Sequence, residues 1–340
     1  MPSTPQTYKS SGVDRNHAEE IKRRITSLAS KTHGPNVLGG IGGFGALFQI
    51  PSYKNPVLVS STDGVGTKLR IATAMNIYDG LGIDLVNACV NDVIVCGAKP
   101  LFFLDYLAMG QLSDDIAVSV VTGMARACEE IECALIGGEL AELPGMYLDD
   151  DFDMAGFAVG AVEKDKILDG SRIAAGDVLI GIPSNGLHTN GYSLVRNVFK
   201  IDEDSSPLHE YYSELGQTLG EALMVPHRSY FRILQPVLNL IKGMAHITGG
   251  GLIGNVPRVL PLGLSAYFTT DAWQIPPIFS IVQNQGNLAS HEMYSVFNMG
   301  LGMVLICDST DAHTITSALQ EAKVVGRIVE EDGKGRVVLA

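Results

Sequence analysis

The chain has 340 residues, 46% of them hydrophobic and 18% charged, with 24 Lys and Arg against 37 Asp and Glu and a formal net charge of −13. That acidity, without a Lys/Arg cluster long enough to track a phosphate backbone, argues against nucleic-acid binding, and no stretch reaches the roughly 18 uninterrupted apolar residues of a membrane span. Length and apolar content favour two domains of a soluble, cytoplasmic protein.

Apolar β-like runs alternate with helical stretches through the first half: VLVSST at 57–62, a helical pattern at 80–97, LFFLDYLA at 101–108, a second helix near 114–131, ALIGG at 134–138 and AGFAVGAV at 155–162. By itself this alternation predicts an α/β architecture with a doubly wound sheet. The charged, Gly-flanked segment at 163–176 precedes a fresh strand, DVLIGIPS, from 177, which divides the chain into domains at 1–165 and 166–340. Strands at 264–269, 299–306 and 324–329 then mix with helices at about 190–200, 210–224, 228–242 and 311–322.

The first chemical signal is GPNVLGGIGGFGALF at 34–48, with Gly39, Gly40, Gly42, Gly43 and Gly45. Backbone N–H groups without neighbouring Cβ atoms can approach phosphate oxygens closely. The embedded GxGxxG is weak because no convincing strand precedes it, and a linker or hairpin reads equally well. In SSTDGVGTKLR at 60–70, Asp63 ends a β-branched run with Lys68 nearby. An acidic and a basic side chain there suit a metal ion and a phosphate, or simply an Asp-Gly turn.

Within GLGIDLVNACVNDVIVCGAKP at 80–100, a helix turning about 100° per residue sets Asp84, Asn87 and Asn91 within about 60° of one another, with Asp92 about 80° from Asp84. One polar stripe on a buried helix must be paired, hydrated or facing a site. Its oxygen ligands suit a hard cation such as Mg²⁺, the alternative being a structural hydrogen-bond network. Asp105 is a further acid in an apolar run, and Glu139 follows the ALIGG strand where α/β sheets usually hold ligands. DDDFD at 149–153 reads as an exposed turn.

In PSNGLHTNGYSLVR, His188, Thr189 and Asn190 occupy a polar turn before a helix. Free N–H groups at a helix start welcome an anion, and His188 can supply acid/base chemistry or charge stabilisation. Five cysteines without CxxC spacing imply neither disulfide nor zinc, and the eight histidines contain no HExxH pair.

Taken together, GGFGALF, TDGVGTK, NDVIVCGAKPLFFLDY, GGELAELPGMY, HTNGYSLVR, ITGGG with NVPRVLP, and HEMYSVFNMGLGM resemble the AIR synthetase (phosphoribosylformylglycinamidine cyclo-ligase) family, from YKSSGVD at 8–14 to RVVL at 336–339. The resemblance implies an N-terminal domain contributing strands to a β-barrel shared across a homodimer, with a C-terminal α/β domain. It implies ATP-dependent, Mg²⁺-assisted cyclisation of formylglycinamidine ribonucleotide to aminoimidazole ribonucleotide, without nucleic-acid or membrane partners. Carried onto this sequence, Asp63, Asp84, Asp92 and Glu139 become Mg²⁺-ATP carboxylates. Lys68 and the glycines at 39, 40, 42, 43 and 45 become the phosphate cradle, with Asp63 and Asp92 also on the nucleotide. His188, Asn190 and Lys68 become catalytic. Leu140 stands where the family often has Thr, which removes a hydroxyl beside Glu139. The tail RVVLA lacks the cysteine of the related hydrogenase-maturation proteins.

Overall fold

A computed structural model describes residues 15–340. The YKSSGVD part of the family resemblance lies outside those residues.

The N-terminal half is one four-stranded sheet backed by helices. Its elements are α1 (Arg15–Ser30), β1 (Pro56–Gly64), α2 (Lys68–Met75), α3 (Leu81–Ile94), β2 (Lys99–Met109), α4 (Asp114–Glu130), β3 (Ala134–Glu142) and β4 (Phe152–Glu163). Strand order is β1-β4-β2-β3, with β1/β4 and β4/β2 antiparallel and only β2/β3 parallel. The expected doubly wound sheet is therefore replaced by a mixed one. Alternating strands and helices do not dictate parallel pairing, because β4 returns beside β1 and β2 without an intervening helix.

Helix α3 is mostly apolar and buried along nearly its whole length, Ile83 and Asp92 being the partly open positions. It lies close against the sheet because Gly156 and Gly160 on β4 leave room: a Cβ at Gly156 would fall 2.4 Å from Phe103 and 3.0 Å from Cys89, and one at Gly160 would fall 2.5 Å from Val93. Helix α4 starts where the Ser113 side chain accepts the Ile116 N–H, with Asp114 and Asp115 in its first turn, a capped and dipole-matched beginning.

The C-terminal half follows with β5 (Val178–Pro183), α5 (Tyr192–Phe199), a small ribbon of β6 (Tyr211–Tyr212) and β7 (Gln217–Thr218), α6 (Leu219–Met224), α7 (Phe231–Leu234), β8 (Ile241–His246), α8 (Gly251–Asn255), β9 (Leu264–Phe268), α9 (Pro277–Gly286), α10 (Ser290–Val296), β10 (Leu301–Cys307), α11 (Ala312–Ala318), β11 (Lys323–Glu330) and β12 (Val337–Leu339). The six-stranded sheet runs β12-β9-β11-β5-β10-β8, antiparallel except for β12/β9.

Two sequence expectations fail in this half. The helix expected at 210–224 forms only from Leu219, where Thr218 and Glu221 make a reciprocal capping box. The helix expected at 228–242 breaks after Leu234 into a 3₁₀ turn containing Pro236, and Ile241–His246 is a buried strand. Proline stops the helix, and a short run buried at all but Lys242 carries no period that separates strand from helix.

One continuous apolar cluster joins the halves, running from Leu85, Val90 and Phe103 to Leu223, Tyr230 and Met303. A second, including Leu179, Ala266 and Val304, fills the other face of the C-terminal sheet. The outer face of the N-terminal sheet leaves Leu58, Tyr106 and Phe157 exposed. Among the described residues no helix is long and apolar enough to cross a membrane. All five cysteines are free thiols.

Candidate active site

The polar stripe of α3 meets the C-terminal half along the loop from Val225 to Tyr230. Asp84 Oδ1 accepts the His227 N–H at 2.7 Å, and Asn87 Nδ2 donates to the His227 carbonyl at 2.7 Å. Asn91 donates to the Arg228 carbonyl at 2.9 Å and accepts the Tyr230 N–H at 3.1 Å. Three stripe residues thus satisfy the backbone of a buried loop that has no sheet or helix partner of its own.

Lys68 completes this network. Its ammonium lies 2.8 Å from Asp84 Oδ2, both side chains are 0% exposed, and it donates to the Val225 carbonyl at 2.9 Å. Burial pulls the Lys68 pKa down and pushes the Asp84 pKa up, and each partner opposes the other's shift. Asp84 and Lys68 therefore stand as a correction to the sequence reading. The carboxylate assigned to Mg²⁺ and the amine assigned to phosphate are a single enclosed ion pair, with their charges directed at each other.

Asp92, one position round the helix from that network, keeps 42% of its side chain exposed. Its Oδ1 lies 2.8 Å from His246 Nδ1 at the end of β8, and Ser61 Oγ donates to Oδ2 at 3.4 Å. Asp63 closes the group from the end of β1. Burial first, and then the nearby Asp92 charge, raise its pKa, while the Gly64 N–H and His246 hold it back. Two carboxylates that repel each other at a half-open position form an oxygen-rich donor set of the kind a hard divalent cation neutralises.

Glu139 does not join them. Strand register sets Asp63, Gly156, Asp105 and Gly138 in one row across the sheet, and Gly64, Ala155, Tyr106 and Glu139 in the next. Because successive strand residues point to opposite faces, Glu139 lies with Tyr106 on the outer face, away from Asp63. Burial pushes the carboxyl of Asp105 on β2 up to about 7, and the Glu139 charge adds to that shift. The glycines at 39, 40, 42, 43 and 45 lie in an exposed hairpin whose base is closed by Leu38 N–H donating to Leu47 O at 2.8 Å. Gly39 and Gly42 have φ of +103° and +115°, conformations that only glycine adopts cheaply. This loop meets the conformational requirement for an anion cradle but does not touch Lys68, which is wholly enclosed.

His188 is buried with φ of 62°. Its ring stacks on His227 at 4.0 Å between centroids, and His227 Nε2 lies 3.0 Å from His246 Nε2. Asn190 is half-buried, its Oδ1 3.1 Å from where a Cβ on Gly249 would sit, so the HTNG turn abuts the ITGGG turn. Thr67 and Ser193 hydroxyls meet at 3.0 Å, tying the TDGVGTK turn to the start of α5. His227 and His246 were missed in the sequence. His227 sits in PHRSY, a segment with no motif, and His246 precedes the Gly-rich turn that drew attention to itself instead.

Burial, followed by neighbouring positive groups, drives the His188 and His227 pKa values well below 6.5. Both groups are neutral when folded and gain a proton more readily when unfolded. Their stabilising contribution is thus complete above about pH 6.5 and falls as pH drops below it, by about 1.4 kcal/mol per pH unit for each histidine. Chemical denaturation between pH 7.5 and 5 should show this decline, and His227→Gln should shallow it. A flat profile in the parent protein would contradict neutral buried rings.

The N-terminal domain of AIR synthase related proteins matches residues 45–162 and the C-terminal domain of the same family matches residues 174–338. The chain belongs to the AIR synthase related family. Within that family it is 50% identical over 331 residues, covering 96% of this chain and 98% of the relative, to the phosphoribosylformylglycinamidine cyclo-ligase of Thermoanaerobacter pseudethanolicus. It is 51% identical over 350 residues, covering 100% and 99%, to the protein of the same name from Bordetella petrii. Solved structures with the same fold include the hydrogenase maturation protein HypE in complex with ATP, at a TM-score of 0.68, 16% identity and coverage of 97% of this chain and 92% of that one. Thiamine-monophosphate kinase from Stenotrophomonas maltophilia K279a superposes at 0.62, with 16% identity and 94% coverage of each. Such low identity carries the AIR synthase fold and nothing finer.

Proposed function

We propose that this member of the AIR synthase family is a phosphoribosylformylglycinamidine cyclo-ligase, closing formylglycinamidine ribonucleotide to aminoimidazole ribonucleotide with conversion of ATP to ADP and phosphate. The observation that carries this reading is full-length similarity at about half identity to proteins of that name, joined to a carboxylate and imidazole cluster where the two halves meet.

An amide-like formyl oxygen is a poor leaving group, and its phosphorylation makes loss of phosphate possible as the amidine-derived nitrogen closes the ring. Asp63 and Asp92 are the carboxylates that would hold Mg²⁺ with the nucleotide, an assignment their oxygen-only donor set and mutual proximity support. When bound, Mg²⁺ supplies charge neutralisation to the transferring phosphoryl group. The His246 imidazole orients Asp92 through Nδ1. The exposed loop at 39–45 offers N–H groups to phosphate, and Asn190 in the turn facing Gly249 positions the substrate beside His188. Lys68 acts indirectly, by fixing the loop that carries His227.

The same reading divides the chain into a nucleotide-binding and dimerising domain at 1–165 and a domain at 166–340. Exposed Leu58, Tyr106 and Phe157 on one sheet face support a homodimeric barrel, since a sheet with one bare apolar face is completed by pairing with its copy. Sedimentation equilibrium should return twice the chain mass, and Phe157→Glu should shift it to the monomer; a monomeric parent protein would remove the barrel.

The reaction itself is tested by mixing enzyme, Mg²⁺ and ATP with and without formylglycinamidine ribonucleotide and following ADP and aminoimidazole ribonucleotide together. Equimolar, substrate-dependent formation of both is expected. ADP release driven instead by thiamine monophosphate or selenide would sink the assignment.

A further inference from the structure

We infer that His188, His227 and His246 form a site for a borderline-soft divalent transition ion of the zinc class, separate from the oxygen ligands that suit magnesium. Their ligand atoms all lie within 4.8 Å of one another and all three residues are buried.

Hydrogen bonding fixes where the lone pairs point. His246 Nδ1 faces Asp92 Oδ1 at 2.8 Å; an ionised carboxylate only accepts, so Nδ1 carries the proton and Nε2 presents a lone pair. A ligating histidine commonly has its far nitrogen held by a carboxylate in this way. Asn91 is oriented without ambiguity, since its Nδ2 donates to the Arg228 carbonyl and its Oδ1 accepts the Tyr230 N–H. That same Nδ2, a donor only, lies 3.3 Å from His227 Nε2, which therefore presents a lone pair as well. Two imidazole lone pairs face each other at 3.0 Å. Such an arrangement is repulsive unless a proton or a cation lies between them. Zinc–nitrogen bonds of about 2.05 Å at a tetrahedral angle place two ligating nitrogens about 3.3 Å apart, so a small outward movement accommodates the ion.

His188 supplies the third ligand. Neither of its ring nitrogens has a hydrogen-bond partner among the described residues, although the side chain is buried. Its ring is stacked on His227 with an interplanar angle of 17°, so ligation requires it to turn about its Cβ–Cγ bond. No hydrogen bond to the ring opposes that turn. Burial keeps His188 and His227 unprotonated at neutral pH, so an incoming metal does not compete with protons for them. Three nitrogens with a fourth position left to water is an established zinc coordination. The ion would take up His246 Nε2 while Nδ1 keeps its contact with Asp92, which couples the site to Asp92 through one imidazole.

The test uses the full-length chain stripped with a chelator and titrated with Co²⁺ in excess Mg²⁺, so that its outcome is independent of which reaction the enzyme performs. One Co²⁺ per chain with the intense visible absorption of four-coordinate cobalt is expected, displaced by Zn²⁺, and His227→Gln should weaken it at least tenfold. Weak six-coordinate absorption, or displacement by Mg²⁺, would place the ion on carboxylates and overturn the proposal. Should the variant fail to fold, the parent protein labelled with ¹⁵N-histidine decides the matter: Zn²⁺ should shift ring-nitrogen resonances of three of the eight histidines, and unshifted rings would refute the site.

Discussion

Replacing Lys68 by Met is expected to destabilise the protein by about 3 to 5 kcal/mol, because it strands the Asp84 carboxylate in a site with no access to water. The ammonium also donates to the Val225 carbonyl, so the loop that presents His227 loses a second support. Urea denaturation should show the midpoint falling with little change in slope. The double variant Lys68→Met with Asp84→Leu should recover only part of the loss, since it removes the unpaired charge but leaves the His227 N–H and the Val225 carbonyl without their partners. Activity should fall with the single variant through misplacement of the loop. A single variant as stable as the parent, yet unable to turn over ATP, would restore Lys68 to direct phosphate contact.

Asp92→Asn should have the opposite profile. Asp92 is partly open to solvent and anchors no backbone group, so the stability change should stay within about 1 kcal/mol. Turnover should drop by about 100-fold or more, because the amide neither neutralises a cation nor holds His246 as an anionic acceptor. Steady-state kinetics across a Mg²⁺ titration, paired with thermal denaturation of the same preparation, separates the two effects. Asn91→Ala is the counterpart on the same helix: it leaves the Tyr230 N–H and the Arg228 carbonyl without partners and should lose about 2 kcal/mol of stability. Normal turnover by Asp92→Asn would return Asp92 to a purely structural role.

Much of this was legible in the residues. The stripe on α3 was visible because helical spacing is a local property, and so was its consequence that the polar atoms had to meet something. What they meet is not local. The loop at 225–230 lies more than 130 positions away along the chain, and no pattern in PHRSY marks it. Hence three stripe residues and Lys68 were read as ligands for a cation and phosphate when they bind the protein's own backbone and each other, and only Asp92 faces outward. Glu139 failed for a related reason. Its place beyond an apolar run was readable, but which face of the sheet it occupies depends on pairing with β2, and one residue of register reverses the answer.

By itself, then, the sequence determined the family, the mixed α/β character and the positions of the glycine-rich and acidic motifs, all of which follow from local order and spacing. Tertiary structure alone decided the mixed strand order in place of a doubly wound sheet, the strand at 241–246 in place of a helix, and the meeting of His188, His227 and His246. The physical reason is common to all three. Pairing between strands, burial on both faces and the convergence of side chains from separate loops depend on distances through space, and chain separation carries no record of them.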